Sequence, residues 1–163
     1  MKDLKTISTV IPTFNREVYL RKATQSCLDQ TINHEIIVCN HGGTDQTDEM
    51  IKDFEGKIKY IKRVNDNGLY YCLLESVKEA RGEYINLLFD DDWIEPNYLE
   101  ESIKYFDDPN VGFIFSQANI YNEKTQKIEK IFYDDFLSEA GIYEVAKYEF
   151  FLLKQLFSPT SFI

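Results

Sequence analysis

Short apolar runs alternate with helix-periodic stretches along most of the chain, and that alternation sets the fold class. Residues 6–11 form a compact apolar run closed by Pro12, and residues 18–30 follow with Leu20, Ala23, Cys27 and Leu28 at helical spacing. Residues 35–39 carry Ile36, Ile37 and Val38 and stop at His41-Gly42-Gly43; residues 47–54 then place Met50, Ile51 and Phe54 on one side. Residues 57–60 alternate polar and apolar, as a half-exposed strand does. After Gly68 an amphipathic helix turns Leu69, Cys72, Leu73, Ser76, Val77 and Ala80 inward, and Gly82 ends it. Residues 83–89 are the most apolar strand, expected at the centre of the sheet, and run straight into Asp90-Asp91-Asp92. Strands alternating with helices in this way predict an α/β protein with a mostly parallel, Rossmann-like central sheet flanked by helices.

The rhythm then changes. Pro96 suits the first turn of a helix whose buried side is Leu99, Ile103 and Phe106. Residues 111–121 and 127–132 read as a hairpin around Asn122-Glu123-Lys124-Thr125. A helix is expected near residues 145–157, and residues 158–163 look like a strand cut short. Without repeats or linker composition, residues 1–163 are assigned to one domain whose natural C-terminal boundary is expected beyond Ile163.

Composition narrows the function. A 44% hydrophobic content over 163 residues is enough to bury one good-sized core. Lys and Arg total 18 against 28 Asp and Glu, a net charge of -10 that disfavours nucleic acid as a partner. Apolar runs such as residues 84–89 and 150–153 are too short to cross a bilayer, and the N-terminus lacks the apolar stretch of a signal peptide, so a soluble, intracellular protein is expected. Cys27, Cys39 and Cys72 are odd in number and widely spaced, and are read as reduced thiols packed like small apolar side chains.

The acidic triplet carries the chemistry. Three carboxylates at the C-terminal end of a parallel strand lie where open α/β sheets bind ligands. They repel one another unless a cation or solvent neutralises them, and hard oxygen ligands of this type suit Mg²⁺ or Mn²⁺ together with substrate phosphates. A solvated acidic loop capping the next helix is the plain alternative. Three other loops are expected at the same sheet edge: Pro12-Thr13-Phe14-Asn15-Arg16, Asn40-His41-Gly42-Gly43-Thr44-Asp45 and Asp66-Asn67-Gly68. Each has a turn or cap reading by itself, but together they build a polar crevice with glycines that admit a ligand close to backbone.

These segments resemble the GT-A fold glycosyltransferases of family two, an inverting group that uses nucleotide-diphosphate sugars. The likeness runs through residues 9–16, residues 42–45, Asp66-Asn67-Gly68-Leu69-Tyr70, and Gly82-Glu83-Tyr84-Ile85 followed by the aspartates, in that order. It implies a single GT-A domain with a C-terminal hairpin and helix segment and lacking its acceptor-side portion. It also implies nucleotide-sugar binding by Pro12, Thr13, Phe14, Asn15, Arg16, Asn40, Gly68 and Asp90. Asp91 and Asp92 are the implied ligands of Mn²⁺ or Mg²⁺, with Asp91 the better of the two. Thr13 and Phe14 would line the base pocket, and Asp90 would lie on the ribose side. Asn40 stands where the family usually has Asp, His41 at a position often acidic or glycine, Phe89 at the first position of the usual Asp-x-Asp, and Tyr71 where one subgroup has Asp.

The implied activity is metal-assisted sugar transfer, with inversion, from a nucleotide-diphosphate sugar to an unknown hydroxyl on a saccharide, lipid-linked sugar or protein. The general base that inversion needs is expected further toward the C-terminus, and no residue is named for it; Glu139, Glu144 and Glu149 read as solvated. The runner-up is a truncated or degenerate module that holds a sugar nucleotide without turnover. A sugar nucleotidyltransferase ranks last, because no glycine-rich basic loop follows the first strand. Trp93 either closes over sugar or acceptor or is packed, and Tyr143, Tyr148, Phe150 and Phe151 form helix core or a membrane-facing surface. Envelope polysaccharide or glycoprotein synthesis at the cytoplasmic face of the membrane is what the resemblance suggests.

Overall fold

The computed structural model describes residues 6–132. Strand β1 (Ile7–Thr13) is followed by helix α1 (Glu17–Leu28), β2 (Glu35–Asn40), the short α2 (Thr47–Ile51) and β3 (Lys59–Lys62). Then come α3 (Leu69–Glu79), β4 (Tyr84–Leu87), α4 (Tyr98–Ile103) and an antiparallel pair, β5 (Ala118–Asn122) and β6 (Lys127–Phe132). Tight 3-10 turns, Lys52–Phe54 and Lys104–Asp107, extend α2 and α4.

The sheet order is β3-β2-β1-β4, and every pairing within it is parallel. Such pairings need crossovers, and right-handed crossovers put α1 and α2 on one face and α3 on the other. The core fits that arrangement: Ile7, Ile11, Ile36, Val38 and Leu88 from the sheet pack with Leu20, Ala23 and Cys27 of α1, Met50 and Ile51 of α2, and Phe54. The α/β class, the parallel sheet and the hairpin expected from the sequence are all present.

The expected centre is corrected. Among the described strands β4 is an edge strand, as β3 is at the other side, and β1 and β2 lie between them; all seven residues of β1 are buried. Polar Ser8 and Thr9 sit in that centre because each finds a partner: Ser8 Oγ donates to Glu35 Oε2 at 2.5 Å, and Asn86 Nδ2 donates to Thr9 Oγ1 at 3.1 Å. Residues 83–89 look more buried by composition than they are, since only Asn86 and Leu88 of that run are buried.

β1 also runs past Pro12, which was expected to close it. Pairing with β4 stops at Val10 opposite Leu87, so the donor that proline lacks faces a side with no ladder left to join. The run read as a strand from residue 111 becomes regular only at Ala118. The helix expected near residues 145–157, the strand at 158–163, and the glutamates and aromatic residues singled out between 139 and 151 lie outside the described residues. No helix among the described residues is long and apolar enough to cross a membrane. Cys27, Cys39 and Cys72 are free and buried, as expected.

Candidate functional site

The pleat of β1 and β4 builds the first half of the site. Thr9 lies opposite Asn86, and alternation keeps Ile11, Thr13, Leu88 and Asp90 on that same face as the two segments run toward their C-terminal ends. There Thr13 Oγ1 donates to Asp90 Oδ2 at 2.8 Å, with both side chains buried. Arg16, in the loop after β1, reaches back with Nη1 2.6 Å from Asp91 Oδ2 and 3.5 Å from Asp90 Oδ1. Burial pushes the Asp90 carboxyl above its usual range, opposed by the Thr13 hydroxyl and the Arg16 charge. Asp91 holds the Arg16 guanidinium firmly protonated, and its own side chain is 48% exposed. Asp92 is half-buried, and its N–H donates to Phe89 O at 3.2 Å to close the turn.

The loops after β1 and β2 are laced together. Asn15 adopts φ 54°, and its Oδ1 accepts from Thr44 N at 2.7 Å and Asp45 N at 3.2 Å. Asp45 answers with Oδ2 accepting from Glu17 N at 3.0 Å and Oδ1 from Thr47 N at 3.1 Å, so one carboxylate satisfies orphan donors at the starts of two helices. Asn40 is almost wholly buried; its Oδ1 accepts from Gly43 N at 2.8 Å, and its Nδ2 donates to Tyr60 Oη at 3.1 Å. The Tyr60 hydroxyl donates a hydrogen bond to Asp48 Oδ1 at 2.6 Å, and burial first, then Asp48, pushes that phenol up. A Cβ at Gly43 would lie 2.9 Å from Asn40 Oδ1 and 3.0 Å from Asn15 Oδ1, so this position must be bare for both amides to converge.

Phe14 stacks on His41 with ring centroids 5.1 Å apart. His41 Nδ1 is 2.8 Å from Asp66 Oδ1, which also accepts from Gly68 N at 2.7 Å, and these two contacts hold the Asp66 carboxyl below the usual range. Gly68 begins α3 at φ 86° with open space around it, so backbone conformation rather than room calls for glycine there.

Of the residues expected from sequence, the structure gathers Thr13, Arg16, Asp90 and Asp91 into one cluster, with Pro12 buried beneath and Phe14 and Asn15 exposed at its rim. Asn40 supports the loop from below with both amide atoms engaged, and Gly68 joins the crevice only through Asp66 and His41. Trp93 remains partly exposed, with Lys22 Nζ 3.2 Å from its ring centroid and Tyr121 meeting it edge-on at 5.5 Å. Sequence reasoning gave Asp45 only a helix-cap reading, which its bonds to Glu17 N and Thr47 N match, and gave no role to Asp48, Tyr60 or Asp66. Asp45 and Asp66 stood inside motifs already singled out, whereas Tyr60 and Asp48 carried no signal, because their contact exists only once β3 lies beside β2.

Among the described residues no group of three or more His, Cys, Asp and Glu side chains could by itself hold a metal ion. The acidic turn offers instead an exposed Asp91 carboxylate, a neighbouring Asp90 and a guanidinium that already brings positive charge to both. The two carboxylates are oxygen donors of the kind a hard dication takes together with substrate phosphates and water, and a cation there would compete with Arg16 for Asp91.

Comparison with known proteins assigns the family and the fold. The family described as Glycosyl transferase family 2 matches residues 8–162. Glycosyltransferase GlyA of Streptococcus pneumoniae serotype 4 is 34% identical over 142 residues, covering 82% of this chain and 19% of that protein. The putative glycosyltransferase EpsH of Bacillus subtilis is 32% identical over 102 residues, covering 60% of this chain and 29% of that protein, so the chain spans well under half of either relative. Among solved structures, S. aureus TarS 1–349 in complex with UDP superposes with a TM-score of 0.63 at 22% identity, covering 68% of this chain and 34% of that one. Mannosyltransferase PcManGT from Pyrobaculum calidifontis, in complex with GDP-Man and Mn²⁺, gives a TM-score of 0.64 at 17% identity, covering 75% of this chain and 37% of that one. The fold is that of the GT-A glycosyltransferases, and the chain belongs to glycosyl transferase family 2.

Proposed function

We propose that this domain binds a nucleoside-diphosphate sugar at the C-terminal edge of the sheet and that the protein transfers the sugar, with inversion and with help from a divalent cation, to a hydroxyl acceptor. The observation that carries the reading is the Thr13–Asp90–Arg16–Asp91 cluster, where buried, hydrogen-bonded and half-exposed charges meet at one strand end. Family membership supports it, as do the UDP and the GDP-Man with Mn²⁺ bound by the two structural relatives.

In this reading the exposed Phe14 ring, braced on its far side by His41, offers a stacking face to the base. Asp90, fixed by Thr13, accepts hydrogen bonds from the ribose side of the donor. Asp91, with Asp92 beside it, holds the cation. A bound Mn²⁺ or Mg²⁺ supplies positive charge against the departing nucleotide diphosphate. Arg16, paired with Asp91, would bring its guanidinium charge to the donor diphosphate. Deprotonating the acceptor needs a general base, and the reading expects that group further toward the C-terminus and names no residue for it.

A second reading, nucleotide-sugar binding without turnover, is favoured by Phe89 at the first position of the family's Asp-x-Asp. Calorimetry of the full chain with UDP, GDP and dTDP, each with and without Mn²⁺, tests the shared part of both readings. Metal-dependent binding of one nucleotide is the expected result, and no binding to any of them overturns the donor site. Donor hydrolysis or sugar transfer by the chain then separates the enzyme from the binding module.

A further inference from the structure

Three loops meet behind Phe14, at a junction separate from the acidic cluster. His41 N donates to Thr13 O at 3.1 Å, which continues the β1–β2 pairing past Asn40 and brings the His41 ring beside Phe14. The two ring centroids are 5.1 Å apart and the rings are 25° from parallel. Gly42 then turns at φ 101°, and a Cβ on it would come within 2.7 Å of Asp66 N and 2.9 Å of Asn65 C. The loop after β2 and the segment leading into α3 therefore touch backbone to backbone, and only glycine fits between them. Asp66 closes the junction: its Oδ1 is 2.8 Å from His41 Nδ1 and accepts from Gly68 N at 2.7 Å. A carboxylate ionised at neutral pH only accepts, so the imidazole carries a proton on Nδ1 for this bond.

The contacts form a chain from Asp66 through His41 to Phe14. The His41 side chain is only 13% exposed, with its ring face against Phe14 and its Nδ1 on Asp66. Residues 64–71 are all exposed, so burial does not hold the segment that carries Asp66; the junction with His41 and Gly42 ties it to the crevice. Arg16 and Asp91, on the side assigned to the diphosphate, pair with each other, whereas Asp66 is engaged by His41 and Gly68.

We propose that Asp66 is a positioning residue for the nucleobase of the donor: acting through His41, it holds the Phe14 ring in the plane on which the base stacks, and it leaves binding of the diphosphate to the acidic cluster. The inference rests on the donor-binding reading above, in particular on Phe14 as the stacking face. A base gains most from an aromatic ring that is already ordered, because a side chain immobilised only on binding costs part of the gain.

The test separates the two halves of the donor. Calorimetry of the full chain with Mn²⁺ compares UDP, GDP and dTDP with inorganic pyrophosphate, a probe that has no base. The parent is expected to bind one nucleotide about tenfold or more tighter than pyrophosphate, and Phe14→Ala to remove about tenfold of that advantage. Asp66→Ala is expected to weaken the same nucleotide about fivefold and leave pyrophosphate unchanged. Adding it to His41→Ala is expected to cost nothing beyond His41→Ala alone, because Asp66 acts through that ring. Asp66→Asn, whose amide oxygen accepts the same two bonds, is expected to recover most of the loss. Urea unfolding checks each variant; where Asp66→Ala does not fold, Asp66→Ser takes its place, since its hydroxyl keeps an acceptor for Gly68 N and is too short to reach His41. If the parent binds no nucleotide, or if Phe14→Ala leaves the advantage over pyrophosphate intact, the stacking reading falls and this proposal with it. If Phe14→Ala removes the advantage but Asp66→Ala does not lower it, or if Asp66→Ala weakens pyrophosphate equally, the donor reading stands and Asp66 is not its positioning residue.

Discussion

Two hydrogen-bonded pairs link β1 to the segment that begins as β4, on the same face and four residues apart: Thr9 with Asn86, and Thr13 with Asp90. The first lies within the ladder, is neutral and is completely enclosed. The second lies where the ladder has ended, carries a carboxylate, and connects to solvent through Arg16 and Asp91. The same pleat and the same spacing thus give an enclosed neutral tie in one place and a charged, partly exposed edge in the other. Strand ends, where backbone pairing stops and a guanidinium can approach, let a charge stay buried; the middle of a parallel sheet does not.

That contrast can be broken at several points. Asn86→Asp places a carboxylate in the enclosed pair with no cation near, and urea unfolding is expected to show a loss of ~3–5 kcal/mol. Asp91→Asn, the reverse exchange at the half-exposed edge, is expected to stay within ~0.5 kcal/mol of the parent; a mild Asn86→Asp would abolish the distinction. Thr13→Val strips a buried carboxylate of its donor and is expected to cost about 2 kcal/mol, against about 1 kcal/mol for Thr9→Val, which leaves a neutral amide unpaired. The same denaturation series ranks the two, and equal losses would place Asp90 in an environment as neutral as that of Asn86.

Asp91→Asn sharpens the functional side. Mn²⁺-dependent nucleotide affinity is expected to fall roughly tenfold, ~1.4 kcal/mol, in calorimetry, and an unchanged titration removes Asp91 from the cation site. The smallest effect is on pH dependence. Because burial raises the Asp90 carboxyl above its ordinary 3.8, its contribution to stability is complete below that value and is lost as pH rises through the raised folded value. Asp90→Asn removes that loss, so the variant is expected to gain on the parent as pH climbs out of the acid range. A parent that instead gains on the variant would mean that Thr13 and Arg16 outweigh burial.

Much of this was legible along the chain. The βα alternation, the four converging loops and the acidic turn follow from local periodicity and turn chemistry, which depend on residues a few positions apart. The central strand was misread because composition reports how apolar a run is, not how many neighbours pair with it: β1 is paired on both sides with Ser8 and Thr9 inside, while β4 is one of the two edge strands among those described. The partners of Asn40 were not legible, since its orientation depends on Tyr60 arriving from β3 and Gly43 folding back over it.

The sequence by itself determined the class of fold, the order of the elements and which sheet edge would carry the polar loops, because each of these rests on patterns that the chain reads locally. Tertiary structure alone decided which carboxylate is buried against Thr13 and which pairs with Arg16 in the open, that Asp45 serves two helices at once, and that two cysteines far apart in sequence share one hydrogen-bonded contact. Those outcomes depend on strand register and on the face to which each crossover delivers its helix, and register couples residues that no local pattern connects.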